Sequence, residues 1–241
     1  MKIAICVAGL IRGNYRRHLR VAKSKFLGAD IFHSTWSGYK DEESESLGCM
    51  YFDEPDIHYQ PWTECVRKSK HPKYHAYTKK YRDDPNYEPK FLNATKQLIS
   101  HAYQLKHQVP KEYDLIVRTR YDTYVSDKLD FSKYIKHAYT GKSAVGFAIR
   151  GTRHGDVNSF KKIDHIYPKI GDTHYSVDWG WYLNDNLIIH YRDRFDPDKV
   201  LAMHENKELL PAEFGWYQVL SEPVDDHLSV YGGAALERYV P

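Results

Sequence analysis

Short apolar runs separated by amphipathic or polar stretches set the pattern of this chain. Lys2–Ala8 (KIAICVA) and Leu115–Val117 are continuous apolar segments bounded by polar residues. That is the form of a strand buried on both faces. Ala29–Phe32 (ADIF), Ile57–Tyr59 and Ala144–Ile149 (AVGFAI) read as further strands. Tyr15–Phe26 reads as a helix. So does Phe91–His107, with Leu92, Ile99, Ala102 and Leu105 near one face, Lys and Gln opposite, and Pro110 ending it. Leu129–Tyr139 is a mixed, helical stretch. Asp193–Lys199 is a polar loop opening a helix, with Pro197 in its first turn. Leu210–Leu220 starts with a Pro-Ala-Glu turn and continues as a helix. Asp41–Glu45 (DEESE) reads as a charged surface loop, and residues 224–241, with Gly232 and Gly233, carry little signal. Strand, glycine-bearing turn and helix in succession open an α/β unit. No internal repeat or low-complexity linker divides the chain, so 1–241 reads as a single α/β domain with inserted loops.

The central stretch is Tyr113–Val125 (YDLIVRTRYDTYV). Its apolar run leads straight into Arg118, Arg120 and Asp122. Charges at the edge of a core are costly, and they persist when they pair or when they meet a ligand. Ligands of open α/β sheets sit outside the carboxyl ends of the strands. The residues therefore read as a site for an anionic, phosphorylated ligand with a divalent cation. They read equally as an Arg–Asp ion pair sealing the sheet edge. The turn Gly9–Gly13 (GLIRG) follows the first strand. Glycine lets backbone approach phosphate, the following helix N-terminus favours anions, and Arg12 adds positive charge. It is not a GxGxxG fingerprint. Arg16, Arg17 and Arg20 read as a solvated basic face.

Net charge is only +3, so any case for nucleic acid rests on local clustering. One segment clusters strongly. Residues 67–82 hold Arg67, Lys68, Lys70, Lys73, Lys79, Lys80 and Arg82 with no acid, interleaved with Tyr74, Tyr77 and Tyr81. Basic groups neutralise phosphates and aromatic faces stack on bases. The other reading of this insert, at about 65–85, is a solvated loop. Mean hydropathy is −0.69, and no apolar run approaches the roughly 20 residues that span a bilayer. The N-terminal MKIAICVAGLIRG lacks a small-residue cleavage pattern and reads as a strand. Cys6, Cys49 and Cys65 have no metal-ligand spacing and suggest a reducing cytoplasm, and the His residues form no HExxH motif.

Two later stretches carry candidate chemistry. Ser176–Asp185 (SVDWGWYLND) puts Asp178 beside Trp179 and Trp181. Aromatic faces pack on the C–H faces of sugars, and a carboxylate takes hydroxyls or acts as a base. Two Trp at i and i+2 also fit a core-facing strand. Glu213 lies in the first turn of its helix, where a carboxylate also serves as a cap.

Taken together, these stretches resemble a group of small bacterial and phage glycosyltransferases with a GT-A type fold, of the capsule and lipopolysaccharide kind. The matching segments are GLIRG after the first strand, DIFHSTW, the helix before YDLIVRTRYD, VDWGWYL and the late PAE. The resemblance covers most of residues 1–222 and is thin between the motifs. It implies a GT-A-like, Rossmann-like domain with a mostly parallel central sheet flanked by helices. It implies that Gly9, Arg12, Arg118, Arg120 and Asp122 bind a nucleotide-sugar donor, with Asp122 also holding a divalent cation, Mn²⁺ or Mg²⁺. Asp178, then Glu213, would be the general base. Trp179 and Trp181 would lie at the acceptor. The motif has one Asp because Arg120 takes the first place of an Asp-x-Asp pair, and the basic insert is foreign to the group.

The expected activity is sugar transfer from a nucleotide-sugar to a hydroxyl acceptor. The acceptor is either a glycan or a hydroxymethylated base in phage-type DNA, contacted in that case by Arg67, Lys68, Lys70, Lys73, Lys79 and Lys80. A different reading is a non-catalytic nucleic-acid-binding α/β module.

Overall fold

The computed structural model describes residues 1–57, 87–125, 145–148, 160–162, 167–170, 173–175, 187–209, 213–220, 228–231 and 234–236. The first four strands are β1 (Ile3–Ala8), β2 (Asp30–Trp36), β3 (Met50–Phe52) and β4 (Leu115–Arg120). Next come β5 (Thr123–Val125), β6 (Val145–Ala148), β7 (Phe160–Lys162), β8 (Tyr167–Ile170) and β9 (Thr173–Tyr175). The last strands are β10 (Leu187–Tyr191), β11 (Leu228–Tyr231) and β12 (Ala234–Leu236). The helices are α1 (Tyr15–Lys25), α2 (Glu42–Ser46), α3 (Tyr87–His107), α4 (Pro197–Glu205) and α5 (Glu213–Leu220).

Eight of the described strands form one sheet in the order β3-β2-β1-β4-β10-β6-β11-β7. β3, β2, β1 and β4 run parallel. β10 is antiparallel to both β4 and β6, β11 is parallel to β6, and β7 is antiparallel to β11. Only β10 and β7 therefore run against β1, and the sheet is mostly parallel. The expected α/β class holds.

The all-apolar run of β1 is explained by its two covers. Ile3, Ile5 and Val7 pack with Leu115, Val117, Leu187 and Ile189 under Tyr15 and Leu19 of α1 and Phe26 just beyond it. Ala4 and Cys6 face the other way, with Ile116 and Ile188. There they meet Leu98, Ile99, Ala102 and Leu105 of α3, Val200 of α4, and Trp216, Val219 and Leu220 of α5. A strand covered on both sides cannot alternate apolar with polar. Each large aliphatic side chain buried this way contributes about 1.5–3 kcal/mol.

Several expectations need correction. Asp41–Glu45 is not a loop. Asp41 caps α2 by accepting from Ser44 N at 2.7 Å, while Ser44 Oγ accepts from Asp41 N at 2.9 Å. This reciprocal pair satisfies two backbone donors that would otherwise leave a five-residue helix unstable. Met50–Phe52 forms a strand the sequence reading did not name, with a parallel partner in β2, and His58 and Tyr59 of the strand expected at Ile57–Tyr59 lie outside the described residues. Ile57 is buried outside any strand. The glutamines of α3 do not all point away from the core. Gln104 is fully buried, and its Nε2 donates to the carbonyls of Val7 and Phe32, both at 3.2 Å. The C-terminal region, thought to carry little signal, supplies β11 to the main sheet and β12 to a pair with β5. The start of α4 follows expectation, with Asp196 accepting from Asp198 N and Lys199 N and Pro197 in the first turn. Leu129–Tyr139 lies outside the described residues.

Candidate functional site

The carboxyl ends of β1 and β4 lie side by side, because the parallel register pairs Ala8 with Arg120. The chain leaves β1 through Gly9, whose φ of 113° is a conformation that side chains disfavour. It then runs through Arg12 to the start of α1. It leaves β4 through Tyr121 and Asp122 into β5. Two turns that are 110 residues apart in sequence thus meet at one edge.

Asp122 is the centre of this edge and is only 7% exposed. Arg12 Nε donates to its Oδ2 at 2.8 Å, and Arg12 Nη2 donates to the same oxygen. Arg120 Nε donates to Oδ1 at 2.9 Å and Arg120 Nη2 to Oδ2 at 3.1 Å. Burial pushes the Asp122 carboxyl up, but the charge of Arg120 and the hydrogen bonds from both guanidiniums outweigh it and hold the group below its ordinary value. The triad is ionised and net positive.

Arg118 lies deeper. It shares the face of β4 that carries Arg120, two residues closer to the middle of the sheet, and it is fully buried. Its Nη2 donates to Gln97 Oε1 at 2.7 Å, and its guanidinium carbon sits 5.4 Å from the centre of the Trp216 ring. Burial of a charge is tolerated where hydrogen bonds and an aromatic face replace water. The structure therefore separates Arg118, an interior residue, from Arg12 and Arg120 at the rim.

Gln97 was not singled out in the sequence. Its amide atoms lie 3.6 and 3.7 Å from the place a Cβ on Gly9 would take, so one side chain of α3 touches both the Gly9 turn and Arg118. A polar residue on a helix that otherwise covers the sheet was the available signal, masked by its assignment to the outer face.

Tyr121 anchors the turn from the opposite layer. It is fully buried, with its hydroxyl 3.2 Å from both His33 Nδ1 and Cys49 Sγ. Its ring stacks on His33 and meets Tyr15 edge-on. Burial pushes the Tyr121 hydroxyl up and the His33 imidazole down to about 4, so both are neutral at physiological pH.

Among the candidate residues, the structure brings Gly9, Arg12, Arg120 and Asp122 together and places Arg118 behind them. Glu213 opens α5, the helix that sets Trp216 over Arg118. Its side chain is outside the description. Asp178, Trp179 and Trp181 lie outside the described residues, as do Arg67, Lys68, Lys70, Lys73, Lys79 and Lys80. No helix among the described residues is long and apolar enough to cross a membrane.

No protein-family model matches this chain. No curated protein sequence matches it either. Among solved structures it is similar to the 4-diphosphocytidyl-2C-methyl-D-erythritol synthase of Anaerococcus prevotii, at 11% identity and a TM-score of 0.48, over 95% of this chain and 88% of that one. It is similar to HddC from Yersinia pseudotuberculosis complexed with GMP-PN, at 10% identity and a TM-score of 0.41, over 100% and 94%. It is also similar to a glycosyltransferase involved in glycosylation of the major capsid of PBCV-1, at 11% identity and a TM-score of 0.39, over 96% and 82%.

Proposed function

We propose that this protein is a nucleotide-sugar-dependent glycosyltransferase that binds its donor at the carboxyl ends of β1 and β4. The observation that carries the reading is the convergence of Arg12 and Arg120 on a buried Asp122 beside the Gly9 turn. An open α/β sheet offers its ligand site at this edge. Guanidiniums held in a fixed plane suit the oxygens of a diphosphate. The Gly9 turn leaves backbone accessible to the same group.

Transfer breaks the bond between the sugar C1 and the donor phosphate oxygen and forms a bond from C1 to the acceptor oxygen. Negative charge grows on the leaving diphosphate, where Arg12 and Arg120 lower its energy. For an inverting reaction a carboxylate takes the acceptor proton. Asp178 is the first choice for that base and Glu213 the second. A retaining reaction needs a different arrangement. Trp179 and Trp181 are proposed to hold the acceptor. The acceptor is a glycan or a hydroxymethylated base in DNA, and the Arg67–Arg82 tract is what favours DNA. A divalent cation at Asp122 would require that carboxylate to exchange guanidinium partners for the ion.

The test is nucleoside diphosphate release from a panel of nucleotide-sugars, with hydroxymethylated duplex DNA, with glycan acceptors and with none. Release that depends on DNA, and that falls when the Lys and Arg of the tract are neutralised, identifies a DNA acceptor. Release without DNA from one donor, abolished by Arg12→Gln, supports the transferase with a glycan acceptor. No release and no donor binding in any arm refutes the transferase and leaves the nucleic-acid-binding module.

A further inference from the structure

We infer that Asp122 is the positioning residue of a guanidinium pair, and that Arg12 and Arg120 carry the charge of the bound diphosphate in place of a divalent cation. This inference rests on the donor-site reading above and gives it a specific electrostatic form.

The first ground is the donor set. An ionised carboxylate has about four acceptor positions. Four N–H contacts reach Asp122, three on Oδ2 and one on Oδ1, all from Arg12 and Arg120. A magnesium-type ion seeks oxygen ligands in near-octahedral geometry, usually from one or two carboxylates, water and substrate phosphates. Here both oxygens of the carboxylate are already engaged by cations. An ion placed on Oδ2 would displace a guanidinium, and one on Oδ1 would sit beside Arg120, cation against cation, at a carboxylate that is only 7% exposed.

The second ground is what the triad offers to an anion. Two guanidiniums against one carboxylate leave a net positive charge. Two of the five N–H groups of each arginine engage Asp122. The Arg12 side chain is 48% exposed, so an incoming phosphate meets it from solvent. Asp122, at 10% side-chain exposure, lies beneath. The order from solvent inward is guanidinium, then carboxylate. That order suits a carboxylate that orients the arginines and does not suit one that offers itself to a cation. Arg118 adds a third positive charge behind the rim, coupled to the Gly9 turn through Gln97.

The test is binding of UDP, GDP, CDP, ADP and dTDP to the full chain by calorimetry, in EDTA and then in Mn²⁺ or Mg²⁺. One nucleotide is expected to bind in EDTA with a dissociation constant within about threefold of that in Mn²⁺. Arg12→Gln and Arg120→Gln each weaken it at least tenfold, and circular dichroism confirms that the exposed Arg12 variant folds. Arg12→Lys recovers only part of the loss, because a lysine keeps the charge without the fork. Asp122→Asn weakens binding yet leaves the ratio of the two dissociation constants near one, with circular dichroism confirming that this variant also folds. Binding that requires Mn²⁺ and collapses in EDTA or in Asp122→Asn overturns the inference and keeps the transferase. EDTA-insensitive binding that ignores Arg12→Gln and Arg120→Gln also overturns it. Absence of binding by every nucleotide in both conditions removes the donor site, and the inference falls with it.

Discussion

Acid should weaken this fold through His190. The side chain is fully buried on β10, and its Nδ1 lies 2.6 Å from the carbonyl oxygen of Tyr191. That nitrogen must carry the proton, since a carbonyl only accepts. Nε2 of His190 is then an acceptor, and the Nε2 of His101, 2.9 Å away on α3, must donate to it. Phe195 and Trp216 close around the pair. Burial, with Arg192 adding to it against the hydrogen bond to Tyr191, pushes His190 down to about 4 from an ordinary 6.5. Burial also pushes His101 well down, helped by His190, Arg118 and Arg192. An unfolded imidazole takes its proton below 6.5, whereas the folded one waits until about 4. The stabilisation is thus complete above 6.5 and is lost as pH falls from there to about 4. At about 1.4 kcal/mol per unit, the whole contribution of His190 is about 3 kcal/mol, of which about 2 kcal/mol has gone by pH 5. The assay is urea unfolding of the wild-type chain and His190→Gln from pH 7.5 to 5. The Gln oxygen can still accept from His101, and the amide itself does not titrate. It starts about 1–3 kcal/mol less stable and then loses about 2 kcal/mol less than wild type on acidification. His33, also pushed down to about 4 by burial, titrates in both chains and drops out of the difference. Parallel pH profiles for the two chains, or a flat wild-type profile, would refute the tautomer assignment and the burial argument together.

Gly9→Ala places a side chain at φ 113° where space is adequate, so its cost, about 1–3 kcal/mol, comes from backbone strain and appears as a lower thermal midpoint with weaker nucleotide binding. Gln97→Leu removes the acceptor 2.7 Å from Arg118 Nη2 and costs about 2 kcal/mol in urea unfolding, whereas Gln97→Glu keeps an acceptor and most of the stability. Asp41→Ala removes the cap of α2 and costs about 1 kcal/mol, read as faster hydrogen exchange at the Ser44 amide. Asp122 adds an acid-sensitive component of its own. Its depressed carboxyl stabilises the fold fully above its ordinary value of 3.8 and loses that contribution as pH falls through the lower folded value, so Asp122→Asn flattens the acid limb below pH 4.

What was legible in the sequence follows from how far each signal reaches. β1 and the first half of β4 could be read because strands buried on both faces run apolar through consecutive positions, and Arg120 and Asp122 stood out because charge follows such a run directly. The pairing of Arg12 with Asp122 could not be read, since it joins residues 110 apart in sequence through the parallel register of β1 and β4. β10 was missed for a related reason. Leu187–Tyr191 is short and contains His190, and its place between β4 and β6 is set by long-range antiparallel pairing. Helix α2 was not read because Glu42, Glu43 and Glu45 look solvated, while the feature that makes the helix is the reciprocal bond of Asp41 and Ser44. Gln97 and Gln104 were assigned outward because amides count as polar in any periodicity. In the fold they face inward, where Gln104 meets two backbone carbonyls and Gln97 meets Arg118.

An ion pair that seals a sheet edge and an anion site that waits for its ligand share the same contacts, so contacts alone do not separate them. The source and exposure of the partners do. An edge seal is satisfied by Arg120, two residues from Asp122 on the same chain segment, and a second arginine adds little to it, since exposed ion pairs contribute about 0–1 kcal/mol. Arg12 comes from the other strand's turn and keeps nearly half of its surface in water. Its energetic return to the fold is small, and it concentrates positive charge over a glycine turn. A residue placed at low structural gain where charge and backbone access coincide fits the proposed donor site. This asymmetry sets the expected pattern for the two substitutions. Arg12→Gln should leave urea stability within about 1 kcal/mol of wild type while lowering nucleotide affinity. Arg120→Gln, at 19% side-chain exposure beside the nearly buried Asp122, should lower both. Equal losses of stability from the two variants, with nucleotide affinity intact, would make the triad a seal.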